Sequence, residues 1–165
     1  MKGKIIVFTG DGKGKTTAAL GCALRAIGYG KKVVMIQFLK KGEYGEVKAS
    51  VEGLRIMQFG RKKFVIKVDE EDKEMAKKGL MAAKEVLKEK PFILILDEIN
   101  VAMSMSVLEI KEVLEILKER GGSHIILTGR DAPKEIIEIA DLVTEMKKVK
   151  HYYDEGIKSI QGLEY

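Results

Sequence analysis

Nine residues near the start of the chain constrain its fold more than any others. Thr9-Gly-Asp-Gly-Lys-Gly-Lys-Thr-Thr17 lies between an apolar run, Ile5 to Phe8, and an alanine-rich segment of good helix propensity that begins at Ala18. Strand, glycine-rich turn and helix, in that order, is the setting of a phosphate-binding loop. Gly10, Gly12 and Gly14 let the main chain come close to an anion. The N–H groups of the turn then form a concave nest, backed by the positive end of a helix. Lys15 adds a full charge on a flexible stem, and the Thr16 hydroxyl is placed to ligate magnesium. In the general pattern, Gly-x-x-x-x-Gly-Lys-[Ser/Thr], the first glycine falls at position 9, where this chain has Thr9.

The rest of the chain is consistent with one domain, residues 1–165. A hydrophobic content of 45% and a charged content of 33% describe an ordinary globular protein. No apolar run reaches the roughly 18 residues that a membrane span needs. Met1-Lys2-Gly3-Lys4 leads straight into a strand without the features of a signal peptide, and the single cysteine, Cys22, excludes an internal disulfide. A cytoplasmic location is expected. The net charge of +5 comes from lysines spread along the chain among glutamates, which reads as a solvated surface rather than a nucleic-acid face. A site for a polyphosphate accounts for part of the excess.

Taken in order, the pattern predicts a strand over residues 4–8 and a helix over 15–29 with Ala19, Cys22, Ala23, Ala26 and Ile27 on one stripe. A buried strand follows over 33–38, as in a parallel β-α-β unit. The polar stretch 40–46 comes next, read either as a ligand-contacting loop or as a plain connection. Residues 54–59 alternate as a short edge strand. Residues 60–68 are basic and irregular around Phe64, Val65 and Ile66, and two readings stand, a mobile lid or a further strand. An acidic first turn, Asp69 to Asp72, opens a helix running to about Lys90 with Met75, Ala82, Ala83, Val86 and Leu87 inward. Phe92 to Leu96 is the most apolar run and predicts a central strand. It ends in Asp97-Glu98, two carboxylates that are costly at such a position unless they face a cation. Ser106 with Glu109 has the form of a capping box for the next helix, which ends at Gly121-Gly122. Further strands are predicted at 124–127 and 142–146, with a short helix over 133–140 between them. Thr128-Gly129-Arg130 sits at the carboxyl end of the first of these two strands, so Arg130 is aimed at the edge where the loop lies. The tail beyond His151 shows no periodicity.

These features predict a three-layer α/β phosphate-loop protein, and the fold alone does not fix the reaction. No Asn-Lys-x-Asp guanine reader occurs, which argues against a GTP switch. An ATP hydrolase using the acidic pair and a small-molecule kinase with residues 60–68 as its lid both remain open.

A more specific likeness comes from the ordered set of motifs. Residues 7–19, Gln37-Phe38, Leu96-Asp97-Glu98-Ile99-Asn100, residues 127–133 and 140–146, Val149-Lys150-His151 and the closing Gly162-Leu163-Glu164-Tyr165 resemble the ATP:corrinoid adenosyltransferases of the CobA/BtuR type over nearly the whole chain. Threonine at position 9 is usual in that family. The resemblance implies a RecA-like P-loop fold with a six-stranded, mainly parallel sheet of order 3-2-4-5-1-6, and a homodimer. It implies transfer of the 5′-deoxyadenosyl group of ATP to the cobalt(I) of a reduced corrinoid, with release of triphosphate. ATP is then held in reverse, its γ-phosphate where other phosphate-loop proteins place the α-phosphate. A flavodoxin-like reductase supplies the electron, and no nucleic acid or membrane is involved.

Carried onto this sequence, Gly10, Asp11, Gly12, Lys13, Gly14, Lys15, Thr16 and Thr17 take the triphosphate, with Lys15, Thr16 and Glu98 catalytic. Thr16, Asp97 and Glu98 take Mg2+. Arg25 and Arg130 are further nucleotide contacts, and Phe64 is the candidate for displacing the lower axial ligand of cobalt. The chain departs from the family at Val101, where an aromatic is common, and at Tyr152, where proline usually follows the histidine. It also lacks tryptophan and the N-terminal extension that covers the corrinoid in longer relatives. The competing reading is a RecA-like ATPase or nucleotide-binding module acting on nucleic acid.

Overall fold

A computed structural model of the chain describes residues 2–61 and 68–165. Six strands form one sheet: β1 (Ile5–Thr9), β2 (Val33–Phe38), β3 (Leu54–Phe59), β4 (Ile93–Asp97), β5 (His124–Thr128) and β6 (Leu142–Glu145). All five pairings are parallel, in the order β3-β2-β4-β5-β1-β6. Among the described residues the helices are α1 (Lys15–Gly28), α2 (Gly45–Lys48), α3 (Glu70–Lys88), α4 (Ile99–Ser104), α5 (Ile110–Lys118) and α6 (Lys134–Ile139). The expected strand order is therefore the observed one.

The central strands read as unbroken apolar runs because both faces of the sheet are covered. Met35, Ile93, Ile95 and Ile126 face α1, whose buried positions are the small residues Ala19, Ala23 and Ala26. Ile36, Leu94, Leu96, Ile125 and Leu127 face the opposite layer, where α3, α4 and α5 contribute Leu80, Ala102 and Leu117 among others. Since successive residues of a strand point to opposite faces, the two clusters interleave along each strand.

Two local expectations are corrected. Ser106 does not cap a helix: it lies at φ 56°, just after the short helix α4. Val107 and Leu108, each 2% exposed, turn into the core, and α5 starts only at Ile110 under a box formed by Glu109 and Glu112. Burying two large apolar side chains outweighs one hydroxyl cap. In α3 the buried stripe runs through Asp72, Ala76, Gly79, Leu80, Ala83, Val86 and Leu87, leaving Met75 and Ala82 half-buried. Phe64 and the greater part of the 60–68 segment read as a lid or a strand, residues 62–67, lie outside the described residues. No described helix is long and apolar enough to cross a membrane.

Candidate active site at the carboxyl edge of the sheet

Parallel strands in this order leave the carboxyl ends of β1, β4 and β5 side by side, and the loops that follow them converge there. The first is the turn between β1 and α1. Gly10 (φ 95°) and Gly14 (φ 115°) adopt left-handed backbone that favours glycine. Gly10 and Gly12 carry a second constraint that sequence reasoning missed. A Cβ at either would stand 2.6 or 2.7 Å from the Met146 carbonyl oxygen, and the Gly12 N–H donates to that same oxygen at 2.6 Å. The loop is thus braced from behind by the chain leaving β6.

Gly14 occupies the N-cap of α1 without a side-chain cap, and the first turn of α1 has no acidic residue. Its N–H groups and dipole are left for an external anion. Helix α3 shows the opposite solution, an Asp69 cap followed by Glu70, Glu71 and Asp72. Thr9, the departure from the general pattern, accepts a hydrogen bond at Oγ1 from the Ala132 N–H at 3.2 Å, tying the loop after β5 to the phosphate loop. Glycine could not make this bond. Lys15 folds over the turn and its Nζ donates to the Gly10 and Gly12 carbonyls, each at 2.7 Å. Burial pulls its pKa below the usual value, with Glu98 opposing.

Asp97, fully buried at the end of β4, is the hub behind the loop. Its Oδ1 accepts from the hydroxyls of Thr16 at 2.7 Å and Thr128 at 2.6 Å. Its Oδ2 accepts from Lys40 Nζ at 2.8 Å and Gln37 Nε2 at 3.3 Å. Gln37, polar at the end of a buried strand, also donates to Glu46 at 2.9 Å and accepts from Gln58 at 3.0 Å. Glu98 sits at φ 62°, its N–H bonded to Thr128 Oγ1 at 3.0 Å and one carboxylate oxygen 3.6 Å from Lys40 Nζ. Burial pushes its carboxyl up; Lys40 opposes this, and the charge of Asp97 adds to it. For Lys40, burial works against the ammonium, but Asp97 and Glu98 outweigh it and hold the pKa above the usual lysine range.

The structure thus brings Lys15, Thr16, Asp97 and Glu98 together. No described cluster of three or more His, Cys, Asp or Glu residues could hold a metal by itself. The hard oxygen set of one hydroxyl and two carboxylates nevertheless fits magnesium, which keeps waters and takes nucleotide phosphates as further ligands. Arg130 is exposed after β5, and its charge is felt at Lys15. Asp11, Lys13 and Thr17 are exposed on the loop and first turn of α1. Arg25 is exposed in the last turn of α1, about 15 Å along the axis from Lys15 at 1.5 Å per residue, and is not brought to the loop.

Two participants had no sequence signal of their own. Lys40 looked like one charge in a polar stretch. The C-terminal tail, aperiodic in sequence, folds through a 3₁₀ turn (Tyr152–Glu155) and runs back over the site. Lys13 Nζ donates to the Leu163 carbonyl at 2.5 Å, and Tyr152 hydrogen-bonds Glu164. A cavity of about 440 Å³ lies between the Lys41–Tyr44 turn and Ser159, Glu164 and Tyr165 of the tail.

Comparison with known proteins gives the same direction. The family model described as ATP:corrinoid adenosyltransferase BtuR/CobO/CobP matches residues 1–165. A protein of Sinorhizobium sp named corrinoid adenosyltransferase is 38% identical, covering 99% of this chain and 81% of its own length. Proteins of that name from Escherichia coli K12 (37%) and Salmonella typhimurium LT2 (35%) each align with 99% of this chain and 86% of their own. A match of this extent, carried by a site of this geometry, places the chain in the ATP:corrinoid adenosyltransferase family.

Proposed function

We propose that the chain transfers the 5′-deoxyadenosyl group of ATP to the cobalt(I) of a reduced corrinoid, cob(I)alamin or cob(I)yrinic acid a,c-diamide. Cobalt(I) supplies the electron pair for the new Co–C5′ bond, the C5′–O5′ bond breaks, and triphosphate leaves with that bond's electrons. The metal centre is itself the nucleophile, so the chain's tasks are to place the sugar carbon and to stabilise the leaving group. The observation that carries the reading is the uncapped, acid-free N-terminus of α1 facing the buried Asp97 hub.

Residues Gly10 to Thr17 bind the triphosphate, Lys15 in particular exchanging its two carbonyl partners for phosphate oxygens. Thr16 and Glu98 would hold a magnesium ion, with Asp97 orienting the Thr16 hydroxyl. When bound, that ion neutralises phosphate charge. Placement alone supports a rate gain worth about 7–11 kcal/mol. ATP is held in reverse, its γ-phosphate where other phosphate-loop proteins place the α-phosphate, with Arg130 as an outer nucleotide contact and Phe64 acting on the lower face of the corrinoid. The enzyme works in the cytoplasm as a homodimer with a flavodoxin-like reductase as electron donor. Surface lysines matched by acids, such as Lys73 with Glu70 and Lys78 with Glu74, support a reading without nucleic acid.

The test is product analysis with ATP and chemically reduced cobalamin. Loss of the cobalt(I) absorbance together with one triphosphate per adenosylcobalamin is expected. ADP and phosphate, released faster in the presence of DNA or RNA, would instead mean a nucleic-acid-dependent ATPase.

A further inference from the structure

The two carboxylates at the end of β4 already have a cation. Lys40 Nζ lies 2.8 Å from Asp97 Oδ2 and 3.6 Å from Glu98 Oε1, on a side chain only 19% exposed. The backbone is shaped to put it there. Leu39, immediately before it, adopts φ 57°, unfavourable for a leucine. The turn then presses against Gly60, where a Cβ would stand 2.3 Å from the Lys40 nitrogen and 2.5 Å from the Leu39 carbonyl carbon. Strain at one residue and a position closed to any side chain both serve to turn Lys40 back toward the pair. The same ammonium lies 5.7 Å from the centre of the Tyr44 ring, so the pair also anchors the turn that forms one wall of the cavity.

We propose that Lys40 is the resident counter-ion of Asp97 and Glu98 and a determinant of metal selectivity in time: it keeps a free divalent cation off the pair until nucleotide arrives. The inference rests on the magnesium site proposed above. The physical argument is a charge exchange. A divalent cation alone must compete with an ammonium that is covalently tethered and already in contact. A cation entering with a triphosphate brings several negative charges, and these give the displaced ammonium a new partner. Lys40 then passes from carboxylate to phosphate, and the 40–44 turn loses one of its ties to the sheet.

The first experiment uses Mn2+ alone as the probe on the nucleotide-free full chain, with binding followed by electron paramagnetic resonance. Lys40→Met is expected to bind Mn2+ about tenfold or more tightly than the unsubstituted protein, a conservative share of what a unit charge at this distance can do. Lys40→Arg, which keeps the charge, is expected to stay close to the unsubstituted protein. Equal Mn2+ affinity in Lys40→Met and the unsubstituted protein would overturn the proposal. A second measurement covers a Lys40→Met chain that folds poorly. In the unsubstituted protein labelled with 15N-lysine, the Lys40 ammonium resonance should be protected from exchange, should survive Mg2+ alone, and should shift on adding Mg2+ with ATP. A resonance that Mg2+ alone displaces, or that Mg2+ with ATP leaves in place, would also overturn it. Neither readout involves adenosyl transfer, so a chain that binds metal as described but makes no adenosylcobalamin would refute the proposed reaction and leave the role of Lys40 standing.

Discussion

Asp97 accepts from four side chains at once, Thr16, Thr128, Lys40 and Gln37, with no exposed surface. Replacing it by asparagine keeps the shape but turns a neutralised contact into an amide facing a partly buried ammonium. Lys40 keeps Glu98 at 3.6 Å, so the loss is that of hydrogen bonds to a charged group, about 1.5–3 kcal/mol. Asp97→Asn should therefore lower the unfolding free energy by that order, read from urea denaturation at neutral pH, besides losing its hold on Thr16. Lys15 presents the opposite case. Its partners are loop carbonyls rather than a core charge. Lys15→Ala is expected to leave the melting temperature within a few degrees and to lower kcat/KM by at least about a hundredfold, the scale of losing one electrostatic donor to a developing anion. Adenosyl transfer close to the unsubstituted rate would mean that the triphosphate is placed elsewhere.

At the scale of elements, legibility followed the physics of each signal. The helix after the loop and the central strands were readable because a 3.6-residue stripe of alanines and continuous apolar runs admit few alternatives. The start of α5 was misplaced because Ser106-x-x-Glu109 satisfies a local capping rule while Val107 and Leu108 answer to the core, which no local pattern displays. Within the site, Lys15, Thr16, Asp97 and Glu98 were legible through fixed spacing on adjoining elements. Lys40 was not, since its role depends on Gly60, twenty residues away in sequence, giving the turn room. Strand β6 illustrates a contact invisible until the sheet is assembled. Asp141, just before it, accepts from Lys4 Nζ and from the Ile5 N–H, each at 2.8 Å, fastening the start of β6 to β1. The bond to Lys4, aided by that to Ile5, holds its carboxyl below the usual aspartate range. A depressed acid adds stability above its unfolded pKa, and the contribution fades as pH falls through the folded value. The unsubstituted protein should accordingly melt a few degrees above Asp141→Asn at pH 7. The gap should close on acidification below about pH 4, the ordinary aspartate range, in parallel calorimetric scans.

For the whole molecule, the arrangement makes one edge of the sheet answer to both ends of the chain. The loop that opens the sequence is braced by Met146 behind and touched by Leu163 in front, so residues far apart in sequence meet around Gly12 and Lys13. The tail contributes little to the core: Ile157, Ile160 and Leu163 are 46%, 39% and 59% exposed. It touches the phosphate loop instead, through Lys13, and forms a cavity with the 41–44 turn. Ending the chain after Gly156 separates these roles. Little apolar surface returns to water, so the sheet should melt within a few degrees of the full chain. The cavity loses the wall formed by Ser159, Glu164 and Tyr165, and Lys13 loses its tether. KM should then rise severalfold for whichever substrate the tail covers, while kcat falls less, because the carboxylate hub and the loop glycines are untouched. Measuring KM for ATP and for the corrinoid separately assigns the cavity to one of them. Unchanged values for both, with the fold intact, would show the tail to be a bystander at this edge.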